Sequence, residues 1–265
     1  STSEFTSFQR NYLLVFLIMM GADWLQGPYV YALYQHYGYG MGEIGTLFIV
    51  GFGSSMVFGA FIGGATDKYG RKLMCVTFAI LYAGSCFTKH FSNFNILLIG
   101  RVLGGICTSM LCSCFESWMV HEHHARRFRD AELSATFALS TQLNGIVAVA
   151  AGVVGSVAAN SRLGPVGPFD VSMLLLLLGG LIVFMTWSEN TGDAQAAVST
   201  NMATAFARLK VRTLDCALVV KGTKGVLVCL HPNNASCRCL FVLPLPSSRL
   251  PPPLCSRTSR CSCSA

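Results

Sequence analysis

Three charged residues stand inside otherwise apolar stretches, and each is of a type that could do chemistry: Asp23, Arg101 and Glu116. A charge in hydrocarbon costs roughly 2.5 to 3.5 kcal/mol on insertion scales, so one retained there marks a candidate site. An embedded carboxylate can carry a proton. An embedded guanidinium presents forked donors and a charge that does not titrate. At 1.5 Å per residue Asp23 lies about 18 Å into its helix from Asn11, and Arg101 about 9 Å into its own from Asn95. If those helices run in opposite directions, both charges fall in the same outer-to-middle part of a membrane and can pair. A permanent ion pair that only fixes packing is the alternative. Glu116 sits beside Trp118, whose indole suits an interface, and there a structural carboxylate bound to a neighbouring helix or loop is the plainer reading.

A second group is the short basic stretch Gly63-Gly-Ala-Thr-Asp67-Lys68-Tyr-Gly70-Arg71-Lys72. Gly63 and Gly70 permit close approach and a turn of positive φ, Asp67 can receive a helix end or a cation, and Lys68, Arg71 and Lys72 hold the loop on the cytoplasmic side. A third is His121-Glu-His-His124, followed by Arg126, Arg127 and Arg129. It is not H-E-x-x-H, because position 125 is Ala, and the expectation is a solvated basic loop and no metal site. Cys237-x-Cys239 and Cys261-x-Cys263 lack the C-x2-C spacing of zinc ligands and read as accidental. No Ser-His-Asp set, phosphate-binding loop or paired-carboxylate site is present, so neither an enzyme nor a cofactor is expected.

The elements that must position these residues are long and apolar. With 52% hydrophobic and 12% charged residues, the chain would make a poor soluble surface. Six blocks, 11–34, 44–65, 73–88, 94–119, 133–158 and 169–187, approach the ~20 residues that a ~30 Å hydrocarbon core demands. The third is the shortest and runs on toward His90. The first carries Asp23 and reads as a retained span, not a cleavable leader. Ser1 is not an initiator Met, so part of the natural N-terminus is expected to be missing. Gly27-Pro28 removes a backbone donor and should kink the first helix. Gly59-x-x-x-Gly63 and Gly100-x-x-x-Gly104 should let helices pack closely. With a cytoplasmic N-terminus, the inner segments collect Arg10, Lys68, Arg71, Lys72, Arg126, Arg127 and Arg129. The outer loops then hold only Lys89 and Arg162, which favours that orientation.

The composition changes after residue 193. Residues 194–265 hold nine of the 19 Lys and Arg, seven of the 12 Cys and six of the nine Pro, with no apolar run long enough to span. They read as a largely disordered cytoplasmic tail with reduced thiols. The division expected is therefore a cytoplasmic N-terminus over 1–10, a six-helix transmembrane bundle over 11–193 and a tail over 194–265. The net charge of +7 belongs to loops and tail, so it does not indicate nucleic acid.

The stretch 63–72 resembles the G-x-x-x-D-[RK]-x-G-[RK]-[RK] loop between helices 2 and 3 of the major facilitator superfamily, and Arg101-Val-Leu-Gly104-Gly105 resembles its helix-4 arginine signature. Several further peptides resemble the superfamily's molybdate-anion transporter family, especially its plant and algal branch. They include Phe8-Gln-Arg-Asn-Tyr12, Asp23-Trp-Leu-Gln-Gly-Pro-Tyr29, Thr88-Lys89, Phe115-Glu-Ser-Trp118, Glu122-His123, Gly164-Pro-Val-x-Pro168-Phe169 and Trp187-Ser-Glu-Asn190. The resemblance covers 8–193 and implies the N-terminal half of an all-α fold, a bundle of six transmembrane helices. It implies secondary transport of molybdate across the plasma membrane, with protons as a possible coupling ion. Asp23 would titrate and Arg101 would partner it or the anion. Gln26, Asn144 and Glu116 join them as substrate-binding or coupling candidates. Gly63, Asp67, Lys68, Gly70, Arg71 and Lys72 would form the conformational gating loop. Gln26, Gln142 and Asn144 are expected on the face that meets a second bundle. A homodimer or a full-length copy could enclose the site in its place. A non-transporting membrane interaction protein, or a carrier of sulfate or sugar, stays open.

Overall fold

Glycine, proline and hydroxyl side chains set the helix limits. The computed structural model describes residues 2–191, all within one compact unit, Ser1–Lys210. The stretch 194–265 lies outside the described residues. Helix α1 (Thr2–Gln26) starts well before Asn11 and ends at Gly27-Pro28. Helix α2 (Tyr29–His36) resumes at once. This is the break expected where proline cannot donate a helical hydrogen bond. Helix α3 (Met41–Tyr69) starts with the Glu43 carboxylate accepting from the Gly40 N–H at 3.0 Å and stops at Gly70, whose φ is +102°. Helix α4 (Arg71–Phe87) continues into the 3-10 turn Thr88–His90, as the extension toward His90 anticipated.

The fourth block is not one helix. It divides into α5 (Phe94–Leu111) and α6 (Cys114–Ala125), although no glycine or proline marks the break. Thr108 donates to the Gly104 carbonyl at 3.0 Å, and Ser113 to the Ser109 carbonyl at 2.7 Å. Such back-bonding hydroxyls bend a helix. The Ser113 N–H turns to the Met110 carbonyl, three residues back. The cluster 121–124, expected in a loop, lies on the last turns of α6, because α6 runs on to Ala125. Helix α7 (Asp130–Ala159) and helix α8 (Gly167–Thr186) complete the order.

Among the described residues there is no strand, and five helical stretches are long and apolar enough to cross a membrane: Ser3–His36, Met41–Tyr69, Phe94–Ala125, Asp130–Ala159 and Gly164–Thr186. Helix α4, at 17 residues, is shorter than these. Helix α3 packs on α5, α4 on α5 and α8, and α1 on α7 and α8. Lipid offers no hydrophobic contrast between helices, so close backbone approach must supply the packing. The tightest such place is Gly105, where a Cβ would come within 2.2 Å of the Gly51 carbonyl oxygen and 2.0 Å of Ser54 Oγ. Of the glycines expected to pack, Gly59 faces Ser109, Gly100 faces Thr88 and Gly104 faces Ser85, whereas Gly63 faces open space.

Candidate functional site

Asp23 and Arg101 go to different partners. Asp23, near the C-terminal end of α1, accepts from the hydroxyl of Tyr82 on α4. Arg101, two turns into α5, donates from Nε to the Leu47 carbonyl of α3 at 3.2 Å, and its Cζ lies 4.6 Å from the centroid of the Phe48 ring. No ion pair within 4.0 Å joins the two among the described residues. Space for the guanidinium comes from Gly51, where a Cβ would stand 2.9 Å from both Nε and Nη2. Neither terminal nitrogen of Arg101 has a hydrogen-bond acceptor among the described residues. Half of the fork is therefore held by backbone and half is free to take a ligand.

Around Asp23 the polar groups are satisfied internally. Gln26, only 5% exposed, donates to Ser172 Oγ on α8 at 3.0 Å, and Ser172 in turn donates to the Ala22 carbonyl at 2.7 Å. Expected on the open face, Gln26 instead ties α1 to α8, as a buried amide must where water is absent. Asn144 of α7 accepts from Trp24 Nε1 at 3.0 Å, while Gln142 is exposed. Glu116 is exposed on α6 and is not brought to this group.

The loop candidates sit at the other end of α4. Gly70 supplies a backbone conformation that L-residues rarely adopt, and a Cβ there would meet the Glu189 carboxylate at 2.6 Å. Across that turn Asp67 pairs with Arg71 at 2.6 Å. Arg71, only 8% exposed, also donates to Ser117 of α6 at 2.9 Å and to Asn190 at 3.5 Å. Glu189 accepts the N–H groups of Lys72 and Leu73, both at 3.0 Å, so a carboxylate caps the positive end of α4. Asn190 continues to Glu122 at 3.4 Å, and Glu122 to Arg126 at 2.8 Å. Lys72 lies over Phe184, and Lys68 over Tyr69. Trp118 and Trp187 stack at 3.7 Å beside this network. Gly63 takes no part in it. In the cluster 121–124, His123 bonds the Arg129 carbonyl at 3.0 Å, and His124 meets Asp130 at 3.4 Å.

Lys89 is the residue that sequence reasoning placed as an ordinary loop charge. It lies in the turn between α4 and α5, yet it is only 2% exposed, with its Nζ 5.9 Å from the centroid of the Tyr34 ring. Tyr37 donates its hydroxyl to the Lys89 carbonyl and fixes the turn. Burial first, and then the charge of Arg101, push the ammonium pKa down to about 7. The signal available in sequence was its position directly after an apolar block, where a lysine can fold back against the helix ends.

The chain matches, over residues 1–220, the family model described as sugar transporters, 12 TM. It is 38% identical over 194 residues to a molybdate-anion transporter of Xenopus laevis, covering 72% of this chain and 43% of that protein. It is 37% identical over 191 residues to the one of Takifugu rubripes, covering 71% and 40%. It is 33% identical over 231 residues to the one of Danio rerio, covering 84% and 48%. The chain thus spans about half the length of the curated relatives it matches.

Proposed function

Because the chain belongs to the major facilitator superfamily, as a member of its molybdate-anion transporter family, we propose that residues 11–193 form one six-helix wall of a secondary carrier for molybdate. In this reading α1 with α2, α3, α4, α5 with α6, α7 and α8 each cross the membrane once. The N-terminus is cytoplasmic and the membrane is the plasma membrane. The clustering of Asp67, Arg71, Glu122 and Arg126 at one end of the bundle supports the orientation, since basic loops favour the cytoplasm.

The observation that carries the reading is Arg101. Its guanidinium is held by the Leu47 carbonyl and Phe48, it has no acidic partner among the described residues, and its terminal nitrogens are free. Molybdate is a tetrahedral dianion, and a forked, permanently charged donor in low dielectric binds it by parallel hydrogen bonds. Asp23, held by Tyr82, serves as a separate titrating group for coupling. The exposed stripe Ile146, Val149, Val153 and Val157 on α7 faces lipid or a second bundle, and that bundle or another copy of the chain closes the site.

One observation favours a second reading: the matching family model is described by sugar transport. Both are tested in cells lacking other molybdate carriers, where the chain is paired with the part of the Danio rerio relative beyond the matched region. Saturable uptake of labelled molybdate, insensitive to excess hexose and abolished by Arg101→Ala, is the expected result. Hexose uptake without molybdate uptake would replace the substrate. Robust molybdate uptake by this chain alone would replace the single wall with a dimer.

A further inference from the structure

Among the described residues Lys89 has no carboxylate within 4.0 Å. Among the described residues Arg71, Arg126 and Arg129 each hold a carboxylate, whereas neither Lys89 nor Arg101 does. The carboxylates on neighbouring elements are already engaged: Asp170 with His90 at 2.9 Å, and Asp23 with Tyr82. The lysine is nevertheless buried against α5, its Nζ 3.3 Å from where a Cβ on Gly100 would stand, one residue before Arg101. Tyr34 under it is fully buried, with a hydroxyl that has no hydrogen-bond partner among the described residues. The Tyr34 ring meets Phe48 edge-on at 6.4 Å, and Phe48 carries Arg101. Two cations thus sit on one aromatic pair whose tyrosine hydroxyl is orphaned, and neither has a carboxylate within 4.0 Å among the described residues. Burying a cation without a partner is costly, and an orphaned hydroxyl adds to that cost. A tetrahedral oxyanion would offset both, because its charge neutralises the cations and its oxygens accept from the hydroxyl.

We propose that Lys89, Arg101 and the Tyr34 hydroxyl form one binding site for a tetrahedral oxyanion, at the end of the bundle where α4 turns into α5. This rests on Arg101 as the anion ligand and adds two residues to it. Lys89 is a binding residue here, in place of an orientation signal. A dianion held between one fixed guanidinium and one ammonium is neutralised on two sides, which discriminates against monoanions and against uncharged sugars.

The test is equilibrium binding of labelled molybdate and labelled sulfate to the purified 265-residue chain in lipid nanodiscs. Lys89→Met should weaken molybdate binding at least about tenfold, as loss of a charge-assisted bond does, and Tyr34→Phe about threefold to tenfold. Arg162→Gln, in an exposed segment, should bind as wild type. Tyr34→Phe keeps the ring and so remains informative if Lys89→Met does not fold. Wild-type molybdate affinity in both variants would overturn the site while leaving the molybdate reading intact. Binding of sulfate alone, weakened by both variants, would support the site and reject molybdate as its ligand. Absence of any oxyanion binding to the wild-type chain would overturn the site.

Discussion

Tyr82 of α4 donates its hydroxyl to the carboxylate of Asp23 on α1, so the acidic group in the first helix is held by a neutral phenol and not by Arg101. A carboxylate so placed can gain or lose a proton without breaking an ion pair. Under the proposed function the two charges have separable roles, Asp23 for coupling and Arg101 for the anion.

A double-mutant cycle reads this separation directly. Asp23→Asn and Arg101→Gln share no contact, so their effects on thermal stability in detergent should add within about 0.5 kcal/mol. Asp23→Asn and Tyr82→Phe share a hydrogen bond and should couple by about 1 kcal/mol or more. Strong coupling of Asp23 with Arg101 would restore the ion pair.

Gly51 makes room for the guanidinium, and a methyl group there would press on Arg101 Nε and Nη2 at 2.9 Å. Arginine can swing aside more cheaply than backbone can move. Gly51→Ala should therefore fold, with a melting temperature near wild type, and bind molybdate about tenfold more weakly. Gly105→Ala is the contrast, because its methyl would meet the Gly51 carbonyl at 2.2 Å. It should cost about 3 kcal/mol or more, read as lost expression or a lowered melting temperature.

If Lys89 binds the anion as proposed, binding should be pH-dependent. Its ammonium loses its proton as pH rises through about 7, so the site carries two positive charges below that value and one above it. Molybdate affinity should fall between about pH 6 and about pH 8. In the folded chain alone the linkage has its own sign. Lysine titrates near 10.5 when unperturbed, so the free protein loses stability progressively as pH falls from there to about 7, and no further below. The groups facing Lys89 are Arg101 of α5, Tyr34 of α2 and Cys86 of α4, with His90 on the same turn paired to Asp170 of α8. Lys89→Met should flatten the binding profile and His90→Gln should leave it, both measured by tracer binding across that range.

Much of the fold was legible because length and apolarity are properties of the chain itself. The break at Gly27-Pro28 follows from a missing N–H, and the turn at Gly70 from the need for a residue without a Cβ. The break at Cys112-Ser113 was not legible, since hydroxyl back-bonding depends on the rotamers of Thr108 and Ser113, which the residue types do not fix. The site was half legible. A rise of 1.5 Å per residue gives the depth of Asp23 and Arg101 but not the direction each faces. Direction sends Asp23 to α4, Gln26 to α8 and Arg101 to α3. Tyr82 reads from sequence as one more apolar aromatic, and Lys89 as one more loop charge. Only packing reveals the partner of the first and the burial of the second.

Anion binding by Arg101 should require the paired donors of a guanidinium. Labelled molybdate binding is measured on the purified chain in nanodiscs for wild type, Arg101→Lys and Arg101→Gln. Wild type should bind saturably, Arg101→Lys at least about tenfold more weakly because ammonium lacks the paired donors, and Arg101→Gln not measurably. Equal affinity in wild type and Arg101→Gln would contradict anion binding by Arg101.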